Sequence, residues 1–249
     1  MNPIVIIPAR MASTRLPGKP LADIGGAPMI ARVWRQAVAA KVARVVVAAA
    51  EQEIACAIER LGGSAVLTDP EIASGTDRVF AALQIADPSA AHDVVVNLQG
   101  DLPLLEPAHL NVVIETLHRS GADVATLAAP IVSPEDWDNP SVVKPVVAWE
   151  NDGNEGRALY FSRARAPFGE GMFYHHIGIY AFRRAALARF VALPPSPLER
   201  RENLEQLRAL EAGMTIAVGR VAEAPLSVDT EADLAKARAA ALTNPESTQ

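Results

Sequence analysis

Unbroken apolar runs alternate with amphipathic stretches through the first half of the chain. Residues 4–7 are continuously apolar, as in a strand buried on both faces. A helix follows from Pro28, with Met29, Val33 and Ala37 on one face and Ile30 and Trp34 beside them. Residues 44–49 read as a second strand. Residues 51–61 read as a helix aligning Ile54, Ile58 and Leu61, closed by Gly62 and Gly63. A short strand at 64–67, a helix at 76–86 and a buried strand at 93–98 come next. A helix from Pro107 then carries Leu110, Val113, Ile114 and Leu117. This alternation predicts an α/β fold with a mostly parallel, right-handed sheet and helices on both faces.

Beyond Ala128 the rhythm loosens. Residues 142–149, 158–162 and 176–182 are strand-like with no long helix between them, which predicts a mixed or antiparallel insertion. Ser196, Pro197 and Glu199 form a capping-box pattern, opening a helix that carries Leu204 and Leu207 and ends near Gly213. A late strand at 215–218 and a helix capped by Thr230 and Asp233 follow, before a polar tail at 244–249. With no repeat or low-complexity linker, the pattern predicts one domain over 1–243, with a substrate-shaping insertion at about 130–182.

Half of the 249 residues are hydrophobic, enough for a sizeable core. The formal net charge of -6 argues against a nucleic-acid partner, whose footprint is basic. No secretory leader pattern or membrane-length apolar run is present, so a cytoplasmic protein without membrane insertion is expected. The single cysteine, Cys56, excludes an internal disulfide framework and reads as a buried structural thiol.

The chemistry concentrates where strands end. Arg10, Arg15 and Lys19 follow the first strand, interleaved with Pro8, Pro17, Gly18 and Pro20, which keep a helix from forming through them. A cationic loop at the carboxyl end of a central strand is where open α/β sheets bind ligands, and three cations there point to a polyanion such as a nucleoside triphosphate. Asp101 ends the run Asn97-Leu98-Gln99-Gly100-Asp101 after the fourth strand; it reads as a Mg²⁺ ligand or as a turn aspartate. Asp229 is either a second ligand or a helix cap, with Thr230 available to cap in its place. Ser74 and Arg78 open a helix, as an ordinary cap or as an anion site. His176 and Tyr180 share a strand face, where a histidine is usually a structural hydrogen-bonder. No zinc spacing, P-loop, dinucleotide fingerprint or nucleophile elbow is present.

In their order along the chain, PARMASTRLPGKPL, SGTDR, VNLQGD, ALYFSRA, HIGIYAF, PSPLE, LEQLR and VDTEADL resemble the 3-deoxy-manno-octulosonate (Kdo) cytidylyltransferases over residues 2–240. The resemblance implies a Rossmann-like, GT-A-like three-layer nucleotidyltransferase fold, with CTP and Kdo as substrates and CMP-Kdo and pyrophosphate as products. It implies a homodimer contacting through the insertion, in the lipopolysaccharide assembly of a Gram-negative cytoplasm. By the same resemblance Arg10, Arg15 and Lys19 cradle the triphosphate, with Ser74, Arg78 and Gln99 on the nucleotide side. Lys19, Arg10, Asp101 and Asp229 are the implied catalytic groups, and Asp101 and Asp229 hold Mg²⁺. Gln99, Arg163, His176, Tyr180, Glu205 and Gln206 match the family's sugar-pocket motifs, with Arg163 as the bidentate partner of the Kdo carboxylate.

The chain departs from the family pattern twice. Relatives mostly read QGDEP where Leu102 follows Asp101 here, and VATD where this chain has Val47-Ala48-Ala49-Ala50. The first change removes an acid beside the metal ligand. The alternatives are a cytidylyltransferase for a related sugar acid such as 8-amino-Kdo, and a catalytically silent CTP-binding homologue.

Overall fold

The apolar run near the N-terminus becomes the centre of β1 (Pro3–Ala9), with Ile4, Val5, Ile6 and Ile7 fully buried. The computed structural model describes residues 1–13, 15–150 and 153–243, so the tail at 244–249 lies outside the described residues. Where the residue pattern predicts one domain with an insertion at about 130–182, the chain divides into two compact units. One is Met1–Asn111 together with the chain from Pro225, and the other is Val112–Ala224.

In the first unit β1 is followed by a small hairpin, β2 (Asp23–Ile24) and β3 (Ala27–Pro28). There follow α1 (Met29–Ala39), β4 (Arg44–Ala49), α2 (Gln52–Glu59), β5 (Ser64–Leu67), α3 (Gly75–Ala86) and β6 (Val94–Leu98). The chain leaves the unit along α4 (Ala108–Ser120). The unit's sheet has the order β5-β4-β1-β6 and is parallel throughout. Successive connections step from β1 to β4 to β5, and then return across β1 to place β6. Right-handed crossovers therefore put α1 and α2 on one face and α3 on the other. Consistent with this, α1 touches α2, while α3 packs on β1, β4 and β5. The winding reverses between β1 and β6, and the crevice at their carboxyl ends is the ligand position of such sheets.

The second unit adds β7 (Val124–Pro130), β8 (Lys144–Trp149), β9 (Glu155–Ser162), β10 (Tyr174–Arg183), α5 (Arg184–Val191), α6 (Pro197–Glu202), α7 (Gln206–Glu211) and β11 (Ile216–Arg220). Its sheet runs β10-β7-β11-β9-β8, with β7 and β11 parallel and the other pairs antiparallel. The expected mixed character is present, but β7 and α5 were not foreseen. The VATLAAP of β7 is rich in alanine, a weak strand former, so its burial has no β-branched signature.

The single helix expected from Pro197 to near Gly213 is two helices. Asn203 adopts a left-handed conformation (φ 53°, ψ 51°) that ends α6, and α7 begins afresh at Gln206. The capping box is as expected: Glu199 N–H donates to Ser196 Oγ, and Ser196 N–H to Glu199 Oε2 at 2.9 Å. Cys56 is half-buried rather than buried, its Sγ accepting from Gln52 Nε2. Leu61 lies beyond α2 and is 39% exposed.

The chain re-enters the first unit and ends in α8 (Glu231–Thr243). Thr230 and Asp233 cap it reciprocally, by Asp233 N–H to Thr230 Oγ1 and Thr230 N–H to Asp233 Oδ2. Leu234, Ala237 and Ala241 of α8 pack with Leu16, Ile24, Met29 and Val228.

Replacing Ser196 with Ala removes one half of the capping box. A stability loss of about 1 kcal/mol is expected, read as a lower urea midpoint at unchanged slope.

Candidate active site

The crevice between the carboxyl ends of β1 and β6 is a cavity of about 360 Å³. Its lining includes Arg10, Arg15, Lys19, Ser74, Gln99, Asp101 and Asp229. Three separate segments meet at its centre, and the start of α3, with Ser74, Gly75 and Arg78, lines it as a fourth. After β1 the cationic loop crosses the crevice and is anchored by Leu16, 3% exposed in the cluster beneath α8. Gly18, with φ 69°, turns the chain into a single 3-10 turn (Lys19–Leu21) that aims Lys19 inward. After β6 the chain passes so close to β1 that a Cβ at Gly100 would lie 3.0 Å from the Pro8 carbonyl oxygen. The strand-like stretch before α8 is tied to this segment by Val228 N–H donating to Asp101 O at 2.9 Å.

At the centre, Lys19 Nζ lies 3.0 Å from both Asp101 Oδ2 and Asp229 Oδ1. Arg15 Nη2 reaches the same Asp229 oxygen at 3.1 Å. Thr230 and Asp233 perform the capping, so the Asp229 carboxylate is left to the cavity. Burial by itself would lower the Lys19 pKa, but the charges and hydrogen bonds of Asp101 and Asp229 outweigh it and raise the pKa above its ordinary 10.5. Two carboxylate oxygens converging on one cation are a donor set that fits Mg²⁺, which is commonly held by one or two carboxylates plus substrate phosphates. Among the described residues no group of three or more His, Cys, Asp and Glu offers an alternative.

Other predicted residues have more local roles. Ser74 is the N-cap of α3, its Oγ accepting from Asp77 N–H at 3.0 Å. Arg78 is 1% exposed, and its guanidinium donates to Thr68 Oγ1 and to the carbonyls of Asp69, Pro70 and Ile72. It therefore fixes the loop that leads into α3 while itself lining the cavity. Gln99 Nε2 donates to Asn97 Oδ1, whose amide donates to Thr76 Oγ1. Leu102 is 4% exposed. Glu51, which sequence reasoning passed over, accepts from Met11 N–H at 2.9 Å and so fixes the start of the cationic loop. Its signal was an acid at a helix N-terminus directly after a central strand, one residue beyond the alanines of β4 and Ala50.

The remaining predicted residues belong to the second unit. The rings of His176 and Tyr180 stand 5.5 Å apart. Burial, with a smaller contribution from His175, pushes the His176 pKa down to about 3. Burial, with Glu205 adding to it, raises that of Tyr180. Both side chains are therefore neutral in ordinary solution. Gln206 is 6% exposed and its Nε2 has no hydrogen-bond partner among the described residues. Arg163 is already engaged: Nε donates to Glu202 O, Nη1 to Pro140 O and Nη2 to Asn203 O. Glu202, also unforeseen, accepts from Ser162 Oγ, Tyr160 OH and Arg163 N–H. With Lys144 Nζ donating to Arg163 O, these bonds pin the end of β9 beside the break that starts α7.

A sequence profile of the cytidylyltransferase family matches residues 4–216. The 3-deoxy-manno-octulosonate cytidylyltransferase of Parvibaculum lavamentivorans is 63% identical over 239 residues, covering 96% of this chain and 92% of that protein. The enzyme of the same name from Rhodospirillum centenum is 59% identical over 238 residues, covering 96% and 93%. A solved CMP:2-keto-3-deoxy-manno-octonic acid synthetase complexed with CTP superposes with a TM-score of 0.89 at 38% identity, over 98% of this chain and all of that one. The Rossmann-like nucleotidyltransferase fold that the family resemblance implies is therefore the fold of this chain.

Lys19 gains its partners on folding, so its contribution to stability is fully present below 10.5 and is lost as pH rises through the raised native value. The stability gap between wild type and Lys19→Met should be constant between about pH 6 and 9 and narrow in stronger alkali. Urea melts across that range check it.

Proposed function

The chain belongs to the cytidylyltransferase family, and we propose that it transfers the cytidylyl group of CTP to the anomeric hydroxyl of Kdo, forming CMP-Kdo and pyrophosphate for lipopolysaccharide biosynthesis. The observation that carries this reading is the convergence of Arg15, Lys19, Asp101 and Asp229 at the switch point of a parallel sheet. The similar solved synthetase is a complex with CTP, which supports the choice of nucleotide.

In this reaction the hydroxyl oxygen forms a bond to the α-phosphorus while the bond to the β-phosphate oxygen breaks. Such transfer depends mainly on positioning and on neutralising charge. Arg10, Arg15 and Lys19 bind the triphosphate, whose oxygens compete with Asp101 and Asp229 for the same cations. Asp101 and Asp229 would hold Mg²⁺, which supplies charge neutralisation at the α-phosphate and lowers the pKa of the attacking hydroxyl. Ser74, Arg78 and Gln99 shape the nucleotide side.

On the sugar side, neutral His176 and Tyr180 suit hydroxyl groups, and the unpartnered Gln206 donor suits a sugar oxygen. Glu205 provides an acceptor. Three of the five guanidinium N–H groups of Arg163 are used by carbonyls, and the remaining two are its share for the Kdo carboxylate.

We further infer a homodimer working in the cytoplasm, where CTP is found. The exposed Val132, Phe168 and Met172, all within 130–182, support a second copy as the covering surface.

Pyrophosphate release from CTP, Kdo and Mg²⁺ is the decisive assay. Release with Kdo, loss on chelation and a fall of at least about 100-fold in Asp101→Asn and Asp229→Asn are expected, since each removes a ligand charge. Turnover of 8-amino-Kdo but not Kdo would change the substrate, and no release with either would sink the activity.

A further inference from the structure

The Thr126 hydroxyl of β7 sits where β10 departs from regular pairing. Ile177 pairs with Leu127 and Tyr180 with Thr126, so Gly178 and Ile179 fall between successive partners. Both strands are buried here, and Thr126 is 0% exposed. Its Oγ1 meets three groups: Ile179 O at 2.8 Å, Ile177 O at 3.1 Å and His176 Nε2 at 2.9 Å.

One proton must serve all three contacts. A carbonyl oxygen accepts and never donates, and a hydroxyl has a single proton to give. When that proton is directed to the carbonyls of the bulge, the imidazole nitrogen facing Thr126 has to be the donor. The opposite tautomer would draw the hydroxyl proton toward the ring. Two buried carbonyl oxygens would then face a hydroxyl lone pair at hydrogen-bond distance, which is the costly arrangement. The ring is also held in place, with Phe161 edge-on at 5.0 Å and 72° and Tyr180 at 5.5 Å.

We propose that Thr126 is a positioning residue that locks His176 as the Nε2–H tautomer, so that Nδ1 is a fixed hydrogen-bond acceptor for a hydroxyl of the sugar acid. The assignment of the ligand rests on the proposed function, whereas the tautomer does not. Burial keeps the ring neutral, so Nδ1 retains its lone pair. A hydroxyl that must donate to Nδ1 is thereby distinguished from a substituent that only accepts. This adds orientation to a pocket whose other neutral groups can both donate and accept.

Nitrogen-15 long-range NMR of histidine-labelled, substrate-free protein at neutral pH reads the tautomer directly. His176 is assigned among the five histidines by its absence in His176→Gln. An Nε2–H neutral ring is expected; an Nδ1–H ring or an imidazolium would overturn the proposal. In steady-state kinetics Thr126→Val should raise the KM for Kdo by about tenfold or more, with the KM for CTP within about twofold, and Thr126→Ser should restore the wild-type value. An equal rise in both constants, or no rise for Kdo, would equally overturn it. Should the wild type release no pyrophosphate with CTP and Kdo, the proposed activity falls, while the tautomer still stands or falls on the spectrum alone.

Discussion

The first unit is organised around one electrostatic problem: two carboxylates facing the same point. Asp101 lies 82 residues from Lys19 in sequence and Asp229 lies 210 away, yet one ammonium touches both. Left alone, such a pair would repel. With Lys19 between them, and Arg15 on the outer side, the cluster is held together by attraction. The close approach of Gly100 to β1 and the bond from Val228 to Asp101 bring the acids to that point. Arg15, Lys19, Asp101 and Asp229 carry no net charge between them, so a phosphate chain entering the site would meet cations already gathered at one point.

The second unit solves a different problem with uncharged groups. His176 and Tyr180 are deeply buried and neutral, while Glu202 and three of the Arg163 N–H groups hold strand and helix ends. Charge there chiefly sets the frame, and recognition falls mostly to neutral donors and acceptors. That division suits a ligand rich in hydroxyls, because hydroxyls are told apart by the direction of a proton more than by field strength.

Much of this was legible in the residues. Continuous apolar runs identified the parallel strands because strands buried on both faces have no polar alternation to confuse. The loop of Arg10, Arg15 and Lys19 was legible because prolines and a glycine exclude a helix there. Asp229 was separable from a cap because Thr230 and Asp233 complete one without it. The misses have physical causes too. β7 is built of alanine, which packs well between layers but has no strand preference. The break at Asn203 depends on a left-handed residue that sequence periodicity does not register. The carbonyls that also engage Arg78 and Arg163 come from backbone elsewhere in the chain, which residue type in one dimension does not register. Glu51 and Glu202 act on backbone N–H groups, partners that residue type does not specify, and only the place of Glu51 at a helix N-terminus after a central strand hints at one.

Leu16 sits between two cations whose heads point elsewhere, yet it is the residue that inserts into the cluster under α8. Its burial settles when conformational entropy is lost. The backbone of residues 16–21 is ordered as the first unit folds, with apolar burial offsetting the cost. The ammonium of Lys19 is likewise held in advance, by Asp101 and Asp229, which leaves Arg15 as the more exposed of the two cations. Binding of a flexible, highly charged ligand by such a loop would begin from a reduced entropic deficit, set in part by an apolar side chain outside the cavity lining.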